Sequence, residues 1–154
     1  MLRIRSAGPD DVDVLVAFEA ALFAEDAARY EPLADPTWPA REGRGDFERL
    51  LESDRCIVLV ADSGTVNGHL VGYLAESSPT RRPATYAIIR SLYIDPHHRR
   101  RGIGSLLVEH FIAWARQHRC AEIHVDAYAN NTDAQLFYER HGFPARSISR
   151  TREL

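Results

Sequence analysis

Apolar positions recur along this chain in two rhythms, one of period two and one of period three to four. Residues 2–7 set Leu2, Ile4 and Ser6 against Arg3, Arg5 and Ala7, the alternation of a half-buried strand. Gly8-Pro9-Asp10-Asp11 then marks a helix start, with proline in the first turn and carboxylates at the positive end of the helix dipole. Leu15, Phe18 and Leu22 supply the buried face of that helix, which ends within Phe23–Ala28. Residues 25–45 hold Pro32, Pro36, Pro39, Gly43 and Gly45, which break any continuous helix. An irregular connection is predicted there, either a plain surface loop or one that covers a substrate. A second helix is predicted over Gly45–Glu52, presenting Phe47, Leu50 and Leu51.

Strand patterns follow over Cys56–Ala61, Val66–Glu76 and Thr85–Asp95, with a turn at Asp62–Thr65 and a polar loop at Ser77–Pro83. A long helix starts at Gly102 and Gly104 and runs to about His118, with Ile103, Leu106, Leu107, His110, Phe111 and Trp114 on one face. Ala121–Tyr128 alternates as a strand. Asn131 or Thr132 caps a last helix whose face is Ala134, Phe137, Tyr138 and His141, and Gly142 ends it. Phe143–Arg152, with Ile148, is predicted as a final strand whose open edge could pair with a second copy in a homodimer. The order βααβββαβαβ predicts a single α/β domain over residues 1–154, with a mixed, mostly antiparallel central sheet flanked by helices.

Composition narrows the partners more than the fold. A chain of 154 residues with a net charge of −3 does not fit a dedicated nucleic-acid binder, despite the local Arg99–Arg101 cluster. No apolar run approaches the roughly 18 residues of a membrane span, and the N-terminus lacks a signal-peptide core, so a cytoplasmic location is expected. Cys56 and Cys120 lie in or beside apolar strand patterns and read as reduced structural thiols. The histidines show no metal-ligand spacing, and no metal is expected.

The chemistry concentrates at Leu92–Ser105. An apolar strand ends at Pro96, three arginines follow, and Gly102 and Gly104 open a helix. Helix N-termini carry free N–H groups and a positive dipole end, and glycine lets an anion approach them closely. That combination suits a phosphate. A P-loop is excluded, because all 19 basic residues are arginine and none is lysine. The dinucleotide fingerprint fails at Leu107, where a small residue is needed.

Arg99-Arg100-Arg101-Gly102-Ile103-Gly104 resembles motif A, Q/R-x-x-G-x-G/A, of the GNAT N-acetyltransferase family. Asn131 through Phe143 is similar to that family's motif B, N-x-x-A-x-x-[FL]-Y-x-x-x-G-F, with Ala134, Phe137, Tyr138, Gly142 and Phe143 at the fixed positions. The resemblance implies the acyl-CoA N-acyltransferase (GNAT) fold and acetyl-CoA as co-substrate. It implies that the turn amides from Arg100 to Ser105, with Arg99, Arg101, Gly102, Ile103 and Gly104, cradle the pyrophosphate. By the same resemblance, the backbone of Leu92, Tyr93 and Ile94 and the side chain of Asn131 hold the pantetheine arm, and Tyr138 lies near the thioester sulfur.

The expected activity is acetyl transfer to a primary amine of a small molecule, protein or peptide, by direct attack in a ternary complex. An alkyl amine has a pKa of about 10.4, so at neutral pH it needs a base or a depressed pKa. Some family members carry a glutamate two residues ahead of the Leu92 position. This chain has Arg90 there, which cannot serve. Glu76, His124, Asp126, Glu25, Asp26 or an ordered water are the remaining candidates. The missing glutamate leaves a second reading open, a non-catalytic acyl-CoA-binding or sensing module of the same fold. Acidic residues in the 25–35 stretch favour a cationic acceptor.

Overall fold

A computed structural model describes all residues 1–154. Strand β1 (Arg3–Ser6) leads through a short 3-10 turn into helix α1 (Val12–Leu22). A π-helical turn at Phe23–Ala27 carries α1 on into α2 (Ala28–Tyr30), and α3 spans Trp38–Glu52. Strands β2 (Cys56–Asp62), β3 (Val66–Glu76) and β4 (Thr85–Ile94) form an antiparallel meander. Helix α4 (Ile103–Gln117), strand β5 (Ile123–Val125) and helix α5 (Thr132–Arg140) complete the fold. The five strands lie in the order β1-β2-β3-β4-β5, and only β5 runs parallel to its neighbour. The crossover that α4 makes between β4 and β5 is the connection a parallel pair requires.

Alternation along the strands sends side chains to two cores. Leu59, Ala61, Leu70, Ala87 and Ile89 meet Ile103, Leu107, Val108, Phe111 and Ala115 of α4 on one face. Val58, Val60 and Val71 meet Val12 and Leu15 of α1 and Phe47 of α3 on the other. The α4 face is turned slightly from the predicted one. Val108 and Ala115 are buried, whereas Leu106 and His110 look outward.

Three expectations are corrected. Helix continues well into residues 25–45: only Glu31–Thr37 separates α2 from α3, and α3 begins at Trp38 rather than Gly45. Pro39 lies in the first turn, where its missing N–H costs nothing. Gly43 is buried inside α3 against Val16, where even a Cβ would make only ordinary contact at 3.5 Å, so the packing of α3 on α1 carries the helix through it. The strand expected at Ala121–Tyr128 pairs only over Ile123–Val125. Phe143–Arg152 forms no strand. Pro144 removes a backbone donor there, and Ile148 is 77% exposed with no apolar partner to anchor alternation. The edge proposed for homodimer pairing is therefore absent.

The β1–α1 junction is fastened by charge. Arg5 donates to both oxygens of Asp11 at 2.8 and 3.0 Å and to Asp62 at 2.9 Å, while Gly8 N–H donates to Asp11 at 2.8 Å. Asp11→Asn breaks the doubled Arg5 contact in a largely buried setting and is expected to cost about 2–3 kcal/mol. The Arg5 guanidinium holds the Asp11 carboxyl below its usual range. A depressed carboxyl lends stability that is complete above its unfolded value of about 3.9 and declines as pH falls through the folded one. Urea melts should therefore show the wild-type advantage over Asp11→Asn at pH 7 shrinking below pH 4.

Candidate active site

Strand β4 carries the site. Its pairing with β3 shifts between Val71↔Ser91 and Gly72↔Ile89, which leaves Arg90 as an extra, bulged residue. Pairing with β5 stops at the same level, at Ile89↔Val125. Beyond it β4 runs on to Ile94 without a partner on that side. Asp95 N–H donates to Asn67 O at 2.8 Å, so by antiparallel alternation the backbone groups of Tyr93 and Ser91 face β3. Those of Leu92 and Ile94 face the gap. The Ile94 carbonyl there accepts from Arg99 Nε at 2.8 Å.

The gap opens onto the turn before α4. Asp95 accepts from His97 N–H at 2.9 Å and caps the 3-10 turn Pro96–His98. Arg100 (φ 62°) and Gly102 (φ 79°) both take left-handed backbone, which rolls the chain into the helix. From Arg100 to Ser105 no backbone N–H finds a partner in the protein; the first to do so is Leu106, which donates to Gly102 O at 3.1 Å. This unbroken run of free donors at the positive end of a fifteen-residue helix is what an anionic diphosphate needs. Gly104 matters for a second reason. A Cβ there would stand 3.3 Å from the Phe137 ring, so its smallness seats α5 against the start of α4.

Asn131, rather than Thr132, caps α5 by accepting from Ala134 N–H at 3.1 Å. Its amide nitrogen donates to Asp26 at 3.1 Å. Tyr138 lies edge-on to Phe137 and Phe143, and its hydroxyl bonds no protein group. Burial, reinforced by the charge of Asp26, pushes its pKa up to about 12. The π turn and α2 thus form a strap across the site. Glu25 pairs with Arg99 at 2.8 Å, Asp26 with Asn131, and Glu31 accepts from Tyr128 at 2.7 Å. Arg99 also sits over the Tyr93 ring at 5.3 Å.

The base candidates divide by position. Glu25 and Asp26 are at the site. Glu76 pairs with Thr85 at the opposite end of β4, about 30 Å along the strand from Ile94, and binds Arg55 and Thr85. His124 stacks on Tyr86 and bonds Glu122, which Arg81 and Arg146 also hold. Asp126 is exposed just past β5. Arg90 reaches the other way and pairs with Asp46 of α3 at 2.6 Å.

Sequence reasoning missed one cluster. Glu19 and His69 are buried behind Tyr93, with His69 Nε2 3.8 Å from Glu19 and 3.4 Å from Ser91 Oγ. Glu19 stands beside Phe18 on the apolar face of α1, and His69 interrupts the apolar run of β3. A carboxylate and an imidazole at core-facing positions were the available signal. No group of three or more metal-ligating side chains gathers anywhere in the chain.

A sequence profile of the Acetyltransferase (GNAT) family matches residues 21–143. The chain belongs to the GNAT acetyltransferase family. Solved structures share its fold. An aminoglycoside acetyltransferase from an uncultured soil metagenomic sample superposes with a TM-score of 0.74 at 25% identity, covering 100% of this chain and 99% of that one. A transcriptional regulator from Bacillus halodurans C-125 shares the fold at TM-score 0.79 and 24% identity, with 100% of both chains covered. An aminoglycoside 6'-N-acetyltransferase from Acinetobacter baumannii does so at TM-score 0.74 and 18% identity, covering 100% and 99%. No curated protein sequence matches significantly. In this GNAT acetyltransferase no helix is long and apolar enough to cross a membrane.

Proposed function

We propose that this GNAT protein moves an acetyl group from acetyl-CoA to a primary amine, by direct attack of the amine in a ternary complex. The observation that carries the reading is the free run of backbone donors from Arg100 to Ser105, lying beside the unpaired edge of β4. The donor run fits a diphosphate, and the Leu92 and Ile94 backbone fits an amide-bearing arm laid along the open strand. Acetyl-CoA, when bound, supplies the activated acyl group; the protein's part is to hold it, polarise it and move protons.

Ile94 N–H, turned into the gap, is the donor for the thioester oxygen as negative charge builds on it. Tyr138 serves the departing sulfur. With its pKa near 12 against about 8.5 for a thiol, complete proton transfer is uphill by about 5 kcal/mol, so it acts by hydrogen-bond donation. The amine must shed a proton first. Glu25 and Asp26, or water they order, are the acceptors that stand at the site.

A cationic acceptor fits best. Glu25, Asp26 and Glu31 line the strap, and Tyr30 and Tyr128 pack together beside them at 5.5 Å. Two of the similar structures are aminoglycoside acetyltransferases, which supports an amine-rich acceptor. Such chemistry belongs where acetyl-CoA is made and used, in the cytoplasm. Arg90, bound to Asp46 in place of a carboxylate, favours a second reading, that of a non-catalytic acyl-CoA-binding module.

Thiol release from acetyl-CoA, measured against polyamines, aminoglycosides, amino acids and short peptides, separates the two. Amine-dependent release well above hydrolysis, strongest for polycationic amines, is the expected result. Binding of acetyl-CoA without release for any amine establishes the second reading instead.

A further inference from the structure

His141 sits at the end of α5 and reaches the start of α4. Its Nδ1 lies 2.8 Å from Phe137 O, and its Nε2 lies 2.9 Å from Ser105 Oγ. A carbonyl only accepts, so Nδ1 carries a hydrogen. In the neutral ring Nε2 is then an acceptor, and the Ser105 hydroxyl must donate to it. Ser105 is the last residue of the free-donor run. Its N–H is available to an anion, but its hydroxyl hydrogen is committed to His141, leaving oxygen lone pairs on the side where negative charge would sit.

Protonating His141 reverses this arrangement. Nε2–H then donates to Ser105 Oγ, and the hydroxyl hydrogen is released to an anion. An imidazolium one residue from that anion adds a favourable charge as well. Binding of the anion and uptake of a proton at His141 must then favour each other equally.

We propose that His141 is a proton-coupled positioning residue of the diphosphate site, acting through the Ser105 hydroxyl. The inference rests on the assignment of that site to the coenzyme diphosphate. No carboxylate competes for the ring: the histidines in ion pairs are His69, His98 and His124, not His141. The nearest charged positions in sequence are Glu139 and Arg140, which point away from it on α5, Glu109 one turn beyond Ser105 on α4, and Arg101 in the turn; none of them bonds the ring. The Phe137 ring packs against the imidazole at 4.3 Å from the same helix.

The test is calorimetry of dephospho-CoA binding near pH 7 in buffers of different ionisation enthalpy. This ligand keeps the diphosphate and lacks the terminal phosphate that itself titrates near neutrality. Wild type is expected to take up a measurable fraction of a proton per ligand bound, the reciprocal of the coupling. Ser105→Ala keeps the histidine and removes the relay, and His141→Leu removes the titrating group. His141→Leu should abolish the uptake and Ser105→Ala should cut it by more than half, and both should weaken binding about 3- to 10-fold at pH 6.5, with the loss fading by pH 8.5. Binding by wild type with no proton uptake overturns the inference, as does undiminished uptake in Ser105→Ala. Failure of wild type to bind either dephospho-CoA or acetyl-CoA overturns the diphosphate assignment beneath it.

Discussion

Tyr138→Phe is expected to lower turnover about 100-fold while acetyl-CoA binding stays within about twofold of wild type. The substitution removes one hydroxyl and keeps the ring that packs edge-on against Phe137 and Phe143. No protein group loses a hydrogen bond, so the fold has little to lose. In the proposed mechanism, what goes is a donor to charge that grows on sulfur only as the thioester opens. Interactions of that kind are worth about 10²- to 10³-fold in rate and little in ground-state binding. Because burial and Asp26 push the phenol to about 12, it stays protonated across the working range. Wild-type activity should accordingly rise with pH as the amine deprotonates, with no loss from Tyr138 ionisation below about pH 11. Steady-state kinetics with equilibrium binding of acetyl-CoA checks both halves. A fall in kcat of less than fivefold would remove Tyr138 from the chemistry.

The largest effect on stability is expected at Gly72. A Cβ on that β3 residue would stand 2.1 Å from Phe111 Cε2 and 2.9 Å from the Ile88 carbonyl oxygen. Phe111 is fully buried in the core beneath α4 and has no room to withdraw. Gly72→Ala should therefore cost about 3 kcal/mol or more and lower Tm by about 10 °C. Gly8→Ala is the control, since nothing lies within 4 Å of its would-be Cβ, and it should melt within about 2 °C of wild type. Pairing Gly72→Ala with Phe111→Leu should recover part of the loss, because the closest clash is with the ring, while the Ile88 carbonyl clash remains. Thermal melts followed by circular dichroism decide it.

Much of this was legible because local chemistry and tertiary role coincide. The alternation in β2 is real on both faces, with Val58 and Val60 going to one core and Leu59 and Ala61 to the other. Gly102 and Asn131 do at their helix ends what their residue types predict. The misreadings arose where tertiary contact overrode propensity. Pro39 and Gly43 read as breakers, yet one suits a first turn and the other is buried within α3 against Val16. Ile148 had the spacing of a strand residue but no neighbour to pack against. Nor could any local pattern announce the strap. Glu25 meets Arg99, and Asp26 meets Asn131, across separations of 74 and 105 residues.

Arg90 is one residue more than β4 needs. Ala87 and Ile89 point to the α4 side, whereas Ser91, two positions on, joins His69 on the side of α1. The bulge absorbs the surplus by letting Arg90 and Ser91 share a face, so every later side chain takes the side it would occupy in a strand that lacked Arg90. A one-codon deletion at Arg90 would thus leave both cores correctly populated. It would also straighten β4 at the level where it leaves β5. The reading frame of the core and the opening of the cleft are written by different residues, and the cleft is the one that a single lost codon can close.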